Sequence, residues 1–196
     1  MKNSSDKNQD ENRMKTITVY CASSSQIASI YTAEAQQLGR LMAAKNIACI
    51  NGAGNRGLMA ALSNAILESG GKVTGIIPRF MVEEGWSHPD LTEMIVTNDI
   101  HTRKQLMAEK SDACIALPGG IGTLEELLEI ITWKQLGLYT QPIVILNIHN
   151  YYDDLLRMLE KAIRENFMYL QHQHIYQVAS SPKEALSIIE EAKTWR

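Results

Sequence analysis

Glu126, Glu125, Thr123 and Arg103 are the side chains in this 196-residue chain whose types and spacing suggest chemistry. The first three follow a turn, Leu117-Pro118-Gly119-Gly120-Ile121-Gly122, that leaves an apolar run and opens an amphipathic one. Glycines let the backbone approach a ligand closely, because no Cβ intervenes. A strand feeding such a turn into a helix offers free N–H groups and the positive end of the helix dipole, an arrangement that holds phosphate. The stretch reads as a phosphate cradle with a carboxylate beside it. Thr123 and Glu126 are expected on the first helical turn, where the dipole should keep Glu126 ionised. That suits a base or a stabiliser of positive charge, and does not suit a general acid. A bland alternative exists, because Thr123-x-x-Glu126 is also the pattern of a capping box.

Arg103-Lys104 precedes the strand that feeds the cradle. Such a pair is usually a solvated face, but beside a phosphate loop an Arg offers a planar fork that binds phosphate or carboxylate through two hydrogen bonds. Gly52-x-Gly54-x-x-Gly57 matches the dinucleotide fingerprint, yet it follows the second expected strand instead of the first. The third ends in Ile76-Ile77-Pro78-Arg79, without an acidic residue for a ribose hydroxyl. It is read as a glycine loop that makes room for a different nucleotide. His172-x-His174 has no third ligand and His101 stands alone, so neither a metal nor a cofactor is expected.

The elements that must position these groups follow from periodicity. Short β-rich runs occur at 16–22, 47–50, 72–77, 93–97, 113–117, 143–147 and 175–178. Between them lie helical patterns at about 29–45, 58–69, 101–110, from the glycine turn to 137, 151–166 and 182–194. Gly70-Gly71 should cap the second helix. The pattern weakens over 79–91, where Gly85, Trp86 and Pro89 suggest a loop or broken helix over the site. Alternating strands and helices predict a three-layer, Rossmann-like, doubly wound α/β fold with a mainly parallel sheet. In such sheets ligands bind outside the carboxyl ends of the strands. The loops at 23–25, 51–57 and 118–123 should converge there. Trp133, Leu136, Leu127 and Ile130 recur at helical spacing and are read as core or a partner-helix interface.

A net charge of -3 gives no electrostatic footprint for nucleic acid. No apolar stretch is long enough for a membrane span, and no signal peptide is evident. Three cysteines without a CxxC pair suit reduced, buried thiols in a cytoplasmic protein. Residues 1–14, polar throughout except for Met1 and Met14, read as a disordered N-terminal tail, and 15–196 as one domain.

Pro118-Gly119-Gly120-Ile121-Gly122-Thr123-Leu124-Glu125-Glu126 resembles the PGGxGTxxE signature of the Lonely Guy (LOG) family of phosphoribohydrolases. The resemblance extends to Gly54-x-x-Gly57-Leu58-Met59, Arg103-Lys104, Trp133-x-Gln135-Leu136-Gly137 and Asn150-Tyr151-Tyr152. It implies a homodimer, with its site near the interface, that hydrolyses the N-glycosidic bond of a nucleoside 5′-monophosphate. The products would be the free base and ribose 5-phosphate, with cytokinin riboside 5′-monophosphates or AMP as substrates. It also implies Arg103 and Glu126 as the catalytic pair, and Glu84, Lys104, Gly119, Gly120, Ile121, Gly122, Thr123 and Thr132 as substrate contacts. Ala22 and the Asn51-Gly52-Ala53-Gly54 run depart from the more glycine-rich family pattern. Relatives of the same fold carry molybdenum cofactor, so a carrier that binds without cleaving is the rival reading. Lysine decarboxylation, a label often attached to the family, normally needs a Schiff-base lysine, and no lysine here sits in a recognisable context for one.

Overall fold

The computed structural model describes residues 15–192 and Trp195. The expected tail at 1–14 and the end of the closing helix at Thr194 lie outside the described residues. Seven strands form one parallel sheet: β1 (Thr16–Tyr20), β2 (Ala48–Asn51), β3 (Val73–Pro78), β4 (Glu93–Thr97), β5 (Ala113–Ala116), β6 (Ile143–Leu146) and β7 (Gln177–Ala179). Their spatial order is β4-β3-β2-β1-β5-β6-β7, so the winding reverses between β1 and β5. A crevice opens at such a switch point because neighbouring connections leave toward opposite faces.

The helices are α1 (Ser29–Ala44), α2 (Gly57–Glu68), α3 (Arg79–Glu83), α4 (Ile100–Glu109), α5 (Ile121–Gln135), α6 (Asp153–Arg164) and α7 (Pro182–Glu191). Alternate residues of each central strand serve opposite faces of the sheet. On one face Ile17, Val19, Ile115, Val144 and Leu146 pack with Leu38 of α1, Leu62 of α2 and Leu186 of α7. On the other Tyr20, Cys114, Ala116, Ile143 and Ile145 pack with Met107 of α4 and Leu127, Ile130 and Ile131 of α5. Both faces are covered, which is why the strands read as near-continuous apolar runs. Thr18, polar and fully buried, donates its hydroxyl to the Met107 carbonyl at 2.8 Å.

Helix ends obey local signals. α2 stops at Gly70-Gly71 as expected: Gly70 has φ +76°, and Gly71 N–H donates to the Ile66 carbonyl at 2.9 Å. Asp99 caps α4 by accepting from Thr102 N–H at 2.7 Å. The broken segment at 79–91 contains only the five-residue α3 and a loop stitched to the β2–α2 connection. Ser87 bridges to Gly54, and His88 N–H donates to the Ala53 carbonyl at 2.8 Å.

Candidate active site

The three small-residue loops meet. Ala22 N–H donates to the Pro118 carbonyl at 3.2 Å, while the Ala22 carbonyl accepts from Leu58 N–H at 2.9 Å. Gly57 makes that second junction work. It has φ +62°, and a Cβ there would lie 2.6 Å from the Ser24 carbonyl oxygen. Above the junction lies a cavity of about 550 Å³, lined among others by Ser23, Ser24, Asn55, Arg56, Arg103, Thr123 and Glu126. That volume is typical of small-molecule sites.

Arg103 comes from α4 and Glu126 from α5, and their side chains form an ion pair of 2.8 Å at the cavity wall. Both residues are more than nine-tenths buried. Arg103 Nε–H also donates to the Ile76 carbonyl at 3.0 Å, so its guanidinium is held on two sides. Burial pushes the Glu126 carboxyl above its ordinary range, against the opposing pull of Arg103. This corrects the expectation that the helix dipole would dominate its ionisation. The physical reason is position: α5 begins at Ile121, which puts Glu126 in the second turn and among the buried residues of the helix.

The capping-box reading also fails. Gly120 is the N-cap residue and has no side chain to cap with, while Thr123 sits three residues inside the helix. The first backbone bond of the helix runs from Leu124 N–H to the Gly120 carbonyl at 3.0 Å. The amides of Ile121, Gly122 and Thr123 therefore lack intrahelical acceptors, and all three residues line the cavity. Thr123 instead packs against Gly119, where a Cβ would sit 2.1 Å from its hydroxyl oxygen. Tyr151 fixes the turn from outside, donating its hydroxyl to the Gly119 carbonyl at 2.7 Å.

The remaining expected contacts divide. Gly120 lines the cavity, and Gly119 supports it through Thr123. Lys104 does not reach it. Its ammonium is buried between Glu125 and Glu129, with an ion pair of 3.0 Å to the latter. Burial pulls the Lys104 pKa down, but the two carboxylates outweigh this and hold the charge on. Glu84, at the end of α3, and Thr132, whose hydroxyl donates to the Leu128 carbonyl at 2.7 Å, are exposed and outside the cavity lining. Residue spacing alone could not reveal which way these side chains turn. Arg56, Met59, Met81 and Trp86 also line the cavity, although the sequence singled out none of them individually as a site residue; Met81 and Trp86 belong to the 79–91 segment expected over the site. Among the described residues Arg56 has no carboxylate partner. The glycine fingerprint, finally, borders the cavity: Gly52 and Gly54 both line it, Gly52 adjoining Arg103 and Gly54 adjoining Met59.

Fold and crevice together define a Rossmann-like α/β protein with an anion-receptive helix terminus and a buried arginine–carboxylate pair at its switch point. A family model described as "Possible lysine decarboxylase" matches residues 59–189. A probable cytokinin riboside 5′-monophosphate phosphoribohydrolase of Oryza sativa subsp. japonica is 41% identical over 181 residues, covering 92% of this chain and 74% of the relative. A cytokinin riboside 5′-monophosphate phosphoribohydrolase of Arabidopsis thaliana is 40% identical over 181 residues, covering 92% and 85%. The chain belongs to the Lonely Guy (LOG) family. Among solved structures, the molybdenum cofactor binding protein of Rippkaea orientalis superposes with a TM-score of 0.69 at 23% identity, covering 91% of this chain and 97% of that one. The molybdenum cofactor carrier protein of Chlamydomonas reinhardtii gives 0.68 at 20% identity, covering 91% and 98%. At that identity the likeness is one of fold.

Proposed function

We propose that this protein hydrolyses the N-glycosidic bond of a nucleoside 5′-monophosphate, releasing the free base and ribose 5-phosphate. The observation that carries this reading is the buried Arg103–Glu126 pair facing a cavity with a phosphate-type helix terminus at its rim. Cleavage passes through an oxocarbenium-like state. In the proposed mechanism the departing base takes the electron pair of the C–N bond and is protonated from solvent, while Glu126 stabilises the positive charge left on the ribose, orients the attacking water and accepts its proton. Arg103 holds the Glu126 carboxylate in place and offers its remaining N–H groups to the substrate. The amides of Ile121, Gly122 and Thr123, with Gly120, hold the 5′-phosphate. Phosphate is distant from the breaking bond, so its binding energy serves to position the ribose.

The carrier alternative draws only on fold likeness, whereas the hydrolase names belong to relatives about twice as similar in sequence. The matching lysine decarboxylase description has no counterpart in the cavity, where no lysine is present among the described residues. A homodimer is proposed from α5. Ile121, Leu128 and Leu136 are exposed along one stripe with Thr132, and burial of that stripe would bring a second copy beside the cavity mouth. A cytoplasmic setting suits the three buried, unpaired thiols. The test is Glu126→Gln. It should abolish release of adenine from AMP while calorimetry still detects nucleotide binding; adenine release at the parental rate would remove Glu126 from the mechanism.

A further inference from the structure

The cavity has two chemically different ends, and sheet order fixes which is which. The α5 terminus sits over β5, on one side of the switch point. Across β1, the cavity is lined by Met59 of α2, Ile77 of β3, Met81 of α3 and Trp86 of the loop after α3, with Ile100 from the start of α4. The Arg103–Glu126 pair connects the two sides: Glu126 stands on α5, and the Arg103 guanidinium that meets it adjoins Gly52 after β2. A nucleoside monophosphate whose phosphate occupies the α5 end and whose ribose lies against Glu126 must therefore extend its base toward the apolar end.

Trp86 has the features of a waiting contact there. Its backbone is fixed: Trp86 N–H donates to the Met81 carbonyl at 3.1 Å, and Asn55 N–H donates to the Trp86 carbonyl at 2.9 Å. The Asn55 side-chain amide adds a bond to the neighbouring Gly85 carbonyl at 2.9 Å. Yet the residue is 48% exposed while lining the cavity. A large aromatic side chain on a backbone fixed from both sides, lining the same cavity as two thioethers, offers stacking area to a ligand.

We propose, resting on the hydrolase reading above, that Trp86 is the stacking platform for the base and determines which bases are accepted. The side chains of Met59, Ile77, Met81 and Ile100 present no hydrogen-bonding pattern that would read a base edge. Of the polar residues that line the cavity from the β2–α2 connection, Asn55 spends its side-chain amide on the Gly85 carbonyl and Arg56 offers a cation. Selection at this end follows ring area, so purines and apolar purine derivatives are favoured over pyrimidines.

The test compares kcat/KM for AMP and CMP, with inhibition by ribose 5-phosphate as the measure of phosphate and sugar binding. Trp86→Ala should lower kcat/KM for AMP about tenfold or more. The CMP value should fall far less, and ribose 5-phosphate inhibition should be unchanged. Trp86→Phe, which keeps an aromatic face, should retain most of the AMP preference. Equal losses on AMP and CMP, or an unchanged ratio accompanied by an altered oligomeric mass, would overturn the assignment and make Trp86 an interface residue. If the wild-type protein releases base from neither nucleotide, the hydrolase reading fails separately. Fluorescence then decides about Trp86: AMP should quench the wild-type tryptophan emission and ribose 5-phosphate should not, with the quench lost in Trp86→Phe. Absence of any AMP quench in the wild type would overturn it.

Discussion

A single methyl group at Gly52 would lie 2.3 Å from Nη2 of Arg103. The glycine that looks like part of a dinucleotide fingerprint is thus a space reserved for the proposed catalytic arginine. Arg103 reaches across from α4 and passes the end of β2 to meet Glu126, and only a residue without Cβ leaves its path clear. The guanidinium cannot retreat cheaply, because its Nε–H bond to Ile76 and its pair with Glu126 both fix it.

Gly52→Ala should therefore damage catalysis more than folding. Displacing Arg103 by even 1 Å misplaces Glu126 with it, and an error of that size costs on the order of a hundredfold in rate. Steady-state kinetics on AMP checks the rate, and circular dichroism checks that the sheet persists. Near-parental turnover would mean that Arg103 can reposition without consequence.

The titration of Glu126 sets the acid side of activity. Burial raises its carboxyl above the ordinary range, and the proposed base must be ionised. Activity is expected to fall with decreasing pH at a midpoint above about 4.3, the value for an unperturbed glutamate. The sign for stability is opposite. The folded state binds this proton more tightly than the unfolded chain, so the group's contribution to stability is present below the unfolded value and is lost as pH rises through the folded one. A pH profile of kcat/KM, set beside thermal unfolding over the same range, measures both. An activity limb at or below the ordinary carboxylate range would contradict the assignment.

Lys104 is expected to act by position. It turns away from the cavity and neutralises Glu125, which lines it, while also reaching Glu129 one turn further along α5. Consecutive residues of α4 thereby grip consecutive residues of α5, Arg103 to Glu126 and Lys104 to Glu125. Lys104→Met keeps the length of the side chain and removes the grip. We expect kcat to fall roughly tenfold, by misalignment of the Arg103–Glu126 pair, with little change in ribose 5-phosphate inhibition. A direct phosphate contact would give the reverse pattern, with weakened inhibition and a raised KM.

Much of this protein was legible without coordinates. Strand and helix periods are local, and both faces of the sheet demand apolar residues, so runs such as Ile143–Leu146 announce a buried parallel strand. The glycine turn and the convergence of three loops followed from motif spacing and from the rule that sites form at a switch point, whereas spacing alone left Arg103-Lys104 open to reading as a solvated pair. Other features depended on side-chain direction and on neighbours distant in sequence. Sequence alone could not tell that Glu126 lies in the second helical turn where burial desolvates it, or that Lys104 faces carboxylates and not the cavity. Nor could it separate Thr123 as a buried partner of Gly119 from Thr123 as a cap. The sequence places the segment that carries Trp86 over the site, but only the ties of its loop to the β2–α2 connection bring that particular side chain into the cavity lining. Local sequence determines which element forms. Only tertiary packing decides which side of that element meets the cavity, because a rotation of about 100° per residue makes neighbours in a helix face different surroundings.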